Sequence, residues 1–298
     1  MLDLSDIGLE PVNDAPHRAP RTLPVSLMRP VTAAARRARL HDAIQSGELR
    51  NRYQPIVELA TGIVAGVEAL VRWHAPGRRI RKPNGFISLA EDSGLIAPLT
   101  FAVLDRALSE VSRWVGVDTA LGLSVNISPL LLSDAHLARR IATALDRHEF
   151  APERLTVEIT ESHDIADVER AHHTIEHLRG GRVNVALDDL GCGFATISRL
   201  ERFAFTQLKI SKSLIDRTVA SEQARQTVAR AIEIARAKGA AVVAEGLESA
   251  EAVGAARELG CELGQGFFLS PPLTGRDLVR WLGGAGNDRQ RALPSGWS

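Results

Sequence analysis

Cysteine is nearly absent from this chain: only Cys192 and Cys261 occur in 298 residues. A disulfide framework is excluded on that count, and a reducing cytosol is the expected location. An excess of one charge is missing as well, since 36 lysines and arginines face 36 aspartates and glutamates. Without a basic excess or a basic run, general binding to nucleic-acid polymers or anionic membranes is excluded. An anionic substrate then has to be met by local charges or by bound cations. Long apolar runs are lacking too. The longest, "GLIAPLTFAVL", is interrupted by Pro98 and stops at Asp105, and the opening "MLDLSDIGLE" is acidic where a secretion signal is basic. These absences describe a soluble cytoplasmic protein.

Turning to what is present, Pro11, Pro16, Pro20, Pro24 and Pro30 stand among polar residues with no apolar period. Residues 1–34 are expected to form a flexible tail and 285–298 a second one, leaving 35–284 as the folded domain. Between the tails, short apolar runs alternate with amphipathic stretches, the signal of βα units around a parallel sheet. The strand-like runs are 53–57, 63–69, 123–127, 155–159, 183–187, 206–210, 241–244 and 263–268. Helical patterns lie near 98–114, 134–147, 165–179, 195–202, 221–238, 249–259 and 275–282. Between the first two runs, "ELATG" has room for a hairpin and none for a helix. The expected fold is α/β, a modified (β/α)8 TIM-type barrel with an antiparallel first strand; an open doubly wound sheet shares the same periodicity.

Polar residues end these runs. The second closes on Glu68, the third carries Asn126, the fourth Glu158, and the fifth runs into Asp188 and Asp189. The sixth carries Lys209, the seventh leads to Glu245 and the eighth holds Gln265. In a barrel the carboxyl ends of the strands open on one face, so these groups are expected to meet in one ring. Several carboxylates and one amide oxygen are the donor set of Mg²⁺ or Mn²⁺, where zinc or iron calls for histidine or cysteine. Adjacent aspartates allow one carboxylate to bridge two ions, and two ions roughly 3.5–4 Å apart suit a phosphoryl displacement. Lys209 would add charge stabilisation at the reacting phosphate or hold the attacking water.

Two other motifs carry no site. "HTIEH", His173 to His177, has zinc-ligand spacing, yet on a helical wheel Ile165, Val168, Ile175 and Leu178 form one face and both histidines fall opposite. "GCGFAT" approaches a dinucleotide-binding glycine loop, but Thr196 stands at the third glycine and two aspartates precede the turn.

The same residues resemble the EAL-domain cyclic di-GMP phosphodiesterases, named for the tripeptide present here as Glu68-Ala69-Leu70. The resemblance spans about residues 38–282 through "YQPIVEL", "EALVRW", "FISLAEDSGLI", "VNIS", "VEITES", "ALDDLGCGF", "LKIS", "VVAEGLE" and "GQGFFLSPPL". It implies that Glu68, Asn126, Glu158 and Asp188 hold a first Mg²⁺ or Mn²⁺. Asp188, Asp189 and Glu245 would hold a second, with Lys209 at the scissile phosphate. It makes Gln54, Leu70, Arg72 and Gln265 substrate contacts, Glu161 a support of the loop after the aspartates, and Glu248 an acid behind the ligands. The implied activity is metal-dependent hydrolysis of cyclic di-GMP to linear pGpG by a homodimer. The family's usual Lys-Ile-Asp reads Lys209-Ile210-Ser211 here, and the loop Gly191-Cys192-Gly193 also departs. Those departures favour, as the alternative, a catalytically weak cyclic di-GMP receptor acting through a signalling protein partner. An enolase-like barrel would also set carboxylates and a lysine around Mg²⁺, but it accounts poorly for the aspartate pair, Asn126 and Gln265.

Overall fold

Every strand of the sheet but the two-residue eighth has buried positions on both faces, which is the condition for a closed barrel wrapped in helices. In β4 (Leu155–Thr160), Leu155, Val157 and Ile159 are buried on the helix-facing side, while Glu158 is buried on the side that alternation turns to the barrel axis. The structure is a computed structural model that describes residues 32–77, 80–114, 121–160, 167–191, 197–218 and 220–284.

The chain runs α1 (Ala33–Gln45), β1 (Leu49–Glu58), β2 (Val64–Trp73), α2 (Ile87–Asp92), α3 (Ile96–Val111), β3 (Gly122–Ile127), α4 (Leu137–Arg147), then β4. It continues α5 (Val168–Gly180), β5 (Asn184–Leu190), α6 (Ile197–Arg202), β6 (Gln207–Ile210), α7 (Lys212–Thr218) and α8 (Glu222–Ala237). β7 (Ala241–Ala244), α9 (Ala250–Leu259), β8 (Leu263–Gly264) and α10 (Gly275–Gly284) complete it. The eight strands close in chain order. β1 is antiparallel to both neighbours and the other contacts are parallel, so the barrel expected from the sequence is the fold observed. "ELATG" makes the hairpin, with Gly62 N–H donating to Glu58 O at 2.8 Å.

Three features position the site. The β1–β2 hairpin pairs from Leu49↔Trp73 downwards, whereas β3 pairs with β2 only up to Ala69, so the hairpin overhangs the barrel mouth. Ser221 and Ser249 accept the N–H of Ala224 and Ala252 at 3.2 Å each, starting α8 after α7 and α9 after β7. The eighth strand is shorter than its apolar run: after Gly264 the backbone of Gly266 packs so tightly on Leu247 that no Cβ fits, which ends pairing and turns Gln265 inward.

Some details differ from the sequence reading. Pro98 does not break the apolar run but sits in the first turn of α3, where its missing N–H is not needed. On α5, Val168 is 43% exposed and the buried stripe is Ala171, Thr174, Ile175 and Leu178. His173 and His177 remain on the exposed face, their rings 6.0 Å apart. Residues 1–31, the loop 192–196 with Cys192, Glu161 and the segment 285–298 lie outside the described residues. Among the described residues no helix is long and apolar enough to cross a membrane.

Candidate active site

Strands β2 to β8 run parallel, so their carboxyl ends share one mouth. Register then decides which side chains meet. Asn126 pairs with Glu158, Glu158 with Ala186, Thr160 with Asp188, and Lys209 with Val243. The inward positions converge on one cation, the Lys209 ammonium, of which 1% is exposed. Its Nζ donates to Glu158 Oε2 at 2.8 Å and lies 2.7 Å from Glu245 Oε1. Glu68 Oε2 and Asp188 Oδ1 each stand 3.5 Å from it. Around this centre Glu68 accepts from Asn126 Nδ2 at 2.6 Å and from Gln265 Nε2 at 2.7 Å. Gln265 Nε2 also reaches Gln54 Oε1 at 3.2 Å, and Gln54 Nε2 donates to Ser270 O at 3.0 Å.

Asp189 takes φ 64°, a left-handed conformation uncommon away from glycine, and its N–H donates to Asp188 Oδ1 at 2.9 Å. This twist brings ligand atoms of Asp188, Asp189 and Glu245 within 4.8 Å of one another. Gly191 follows at φ 100°, where a Cβ would lie 2.7 Å from Leu214 Cβ; only glycine keeps this turn against α7.

Above the ring opens a cavity of 500 Å³, lined by Gln54, Glu68, Asp189, Ser211, Glu245, Glu248 and Gln265, together with Lys212 and Phe267. Leu70 and Arg72, at alternate positions above Glu68, are partly buried on the overhang and do not line this cavity. Glu248 is exposed and lies 3.6 Å from Lys212. Ser211 is buried, its hydroxyl donating to Leu190 O at 2.9 Å. Lys212 and Phe267 were not singled out in the sequence, although "GQGFF" carried a signal, an aromatic pair directly after the strand-end glutamine. Phe267 is 64% exposed at the cavity rim.

The EAL-domain family model matches residues 37–272. This chain belongs to the EAL family. It is 32% identical over 244 residues to the bifunctional diguanylate cyclase/cyclic di-GMP phosphodiesterase MucR of Pseudomonas aeruginosa, covering 80% of this chain and 36% of that protein. It is 30% identical over 243 residues to the probable cyclic di-GMP phosphodiesterase PdeB of Escherichia coli, covering 82% of this chain and 46% of that one. A solved structure of the MucR phosphodiesterase in complex with c-di-GMP superposes with TM-score 0.74 at 31% identity, over 81% of this chain and 98% of that one. The chain thus spans less than half the length of these two curated relatives.

The EAL site is suited to a divalent cation on three grounds. Its donors are oxygens, Asp188, Asp189 and Glu245 form a compact acidic group, and Glu158 Oε1 is buried with no hydrogen-bond partner. The electrostatics agree. Burial, and then the charge of Glu68, push Glu158 well above the carboxylate range. Burial pushes Asp188 up to about 6 and Glu245 up to about 8, against the pull of Lys209. Glu68 is also buried, yet Lys209 and the amide donors outweigh that effect and hold it below its usual value. For Lys209, burial favours the neutral amine, but the surrounding carboxylates win and hold it well above the ordinary lysine range.

A pH dependence follows. Asp188 and Glu245 have folded-state values above the ordinary 3.8 and 4.5, so folding takes up protons at both. Their stabilisation is complete in acid and is lost as pH rises through about 6 and then about 8. In EDTA, Tm is expected to fall on the order of 5–10 °C between pH 5 and 8.5. Added Mg²⁺ or Mn²⁺, which needs the ionised carboxylates, is expected to raise Tm more at pH 8 than at pH 6. Thermal melts across that range check it; a Tm independent of pH in EDTA rejects it.

Proposed function

We propose that this chain hydrolyses cyclic di-GMP to linear pGpG with Mg²⁺ or Mn²⁺. The observation that carries the reading is the convergence of Glu68, Glu158, Asp188 and Glu245 on Lys209 beneath a 500 Å³ cavity. The printed names of MucR and PdeB and the c-di-GMP complex of MucR support the substrate. Glu68, Asn126, Glu158 and Asp188 would hold one ion, and Asp188, Asp189 and Glu245 the other. When bound, such a pair would lower the pKa of water and would offset charge developing at the phosphate.

The chain's own groups do the rest. Lys209 Nζ donates to a phosphoryl oxygen as charge develops there, and Glu158 and Glu245 hold it in place. Arg72 takes the phosphate from the overhang, while Gln54, Gln265 and Leu70 orient the nucleotide. Water adds to phosphorus, the bond to the 3′ oxygen breaks, and the product keeps a 5′ phosphate and a free 3′ hydroxyl. Glu161 and Glu248 are assigned supporting roles outside the metal ligands, and the working unit is read as a cytoplasmic homodimer. The test is chromatographic detection of pGpG with each metal and with EDTA; no turnover in either metal ends the proposal.

Ser211 favours a second reading, a weakly active receptor that signals through a protein partner. Its hydroxyl is engaged with Leu190 O and Ser213 Oγ, and no carboxylate stands there to orient water near Lys209. On the first reading, Ser211→Asp raises kcat at least about tenfold if this position limits the rate, consistent with a positioned general base. Tight cyclic di-GMP binding without turnover in either form selects the receptor.

A further inference from the structure

A second cavity, of 740 Å³, opens at the upper end of β1 and shares no lining residue with the mouth cavity. Its volume falls in the usual range for small-ligand pockets, about 300–1,000 Å³. Arg50, Arg52, Arg113, Arg276 and Arg280 line it against a single carboxylate, Glu110. That carboxylate is already engaged, accepting from the Tyr53 hydroxyl at 2.7 Å and pairing with Arg106 at 3.6 Å. Among the described residues Arg280 pairs with Asp277 alone, at 3.8 Å. Among the described residues Arg50, Arg52, Arg113 and Arg276 make no ion pair. Arg50 also stands directly across the hairpin from Arg72, an opposition of like charges that weakens the free fold.

Behind the arginines, polar atoms lack partners. Asn51 is 7% exposed; its Nδ2 donates to Val103 O at 3.1 Å, but its Oδ1 accepts nothing. His74 Nε2 is likewise buried without a partner. The strand edge is open as well. Tyr53 exchanges both backbone bonds with Leu273, at 2.8 and 2.9 Å, so the backbone groups of Asn51 point the same way, beyond that last bridge. Trp114, edge-on to Tyr53 at 4.9 Å, forms an aromatic wall, with Gly275 of α10 close against its indole.

A surface with no ligand to meet would intersperse carboxylates among these mostly exposed cations. We propose instead that this cavity binds a small phosphorylated ligand of the nucleoside diphosphate class. The arginines take the phosphates, and Trp114 offers an aromatic wall to the base. The proposal is independent of the reaction at the barrel mouth.

The test is calorimetric titration of the full chain with inorganic pyrophosphate, ADP and GDP. Arg276 and Arg280 are exposed, so the double variant R276E/R280E is expected to fold. Binding of at least one nucleoside diphosphate to the wild type, weakened tenfold or more in R276E/R280E, is the expected result. Absence of binding by all three probes overturns the proposal, as does equal affinity in the variant. Loss of cyclic di-GMP binding in R276E/R280E also overturns it, because the cavity would then belong to the mouth.

Discussion

Lys209→Met is expected to abolish turnover of cyclic di-GMP and, in EDTA, to destabilise the fold more than any other single change at the mouth. Methionine fills much of the same volume but carries no charge, so Glu158, Glu245, Glu68 and Asp188 lose their shared cation. Breaking a buried ion pair from one side costs about 3–5 kcal/mol, because the remaining charge stays desolvated. Protonation offsets part of that cost, since Glu158, Asp188 and Glu245 already resist ionisation. The loss should therefore be smaller at pH 6 than at pH 8. Divalent ions should also stabilise the variant more than the wild type, since they would then be the sole counter-charge. Melts at both pH values, with and without Mn²⁺, check the loss of stability, and a pGpG assay the loss of turnover. A folded variant whose rate stays within tenfold of wild type removes Lys209 from the chemistry.

The importance of that lysine shows where sequence reading succeeds and where it stops. Strand β4 is legible because Leu155, Val157 and Ile159 alternate with polar residues, and Glu158 between the last two marks its inward face. The antiparallel first strand follows from a turn too short for a helix. Helix α1 is not legible: only Leu40 and Ala43 of its thirteen residues are buried, so no apolar stripe announces it. Helix α7 is hidden for a different reason, since Lys212 to Thr218 follows β6 after a single residue and reads as a continuation of the strand's loop.

At the mouth, the residue types were readable but their partnerships were not. Lys209 reads from the sequence as a group for the substrate phosphate. Its contacts with carboxylates on β2, β4 and β5 and with Glu245 after β7 depend on barrel register, which no local pattern encodes. The Gln265–Glu68 bond joins residues 197 positions apart for the same reason. Glycine tightness is similar: Gly266 matters because Leu247 lies against it, and that neighbour is known only once β7 and β8 are side by side.

Glu68→Gln is the sharper probe of metal chemistry, because it changes charge and hydrogen-bond polarity with almost no change of shape. Glu68 accepts on both oxygens, from Asn126 on one and Gln265 on the other. A glutamine must present its NH₂ to one of those donors, so one amide is left facing a donor in a buried site, a cost of about 1–3 kcal/mol. Asn126 and Gln265 can each flip to relieve it, and Gln265 would do so at the expense of its contact with Gln54. The fold should survive with a modest fall in Tm. The ion site should not, since the substitution removes one oxygen donor and its charge from the set that would hold the first ion. The pGpG rate is expected to drop at least about a thousandfold, with little recovery at high Mg²⁺ or Mn²⁺. Recovery of most of the rate by raising the metal concentration would mean that Glu68 tunes affinity alone. A rate within tenfold of wild type at ordinary metal concentration would mean that the carboxylate named in the family's motif is not a ligand in this chain.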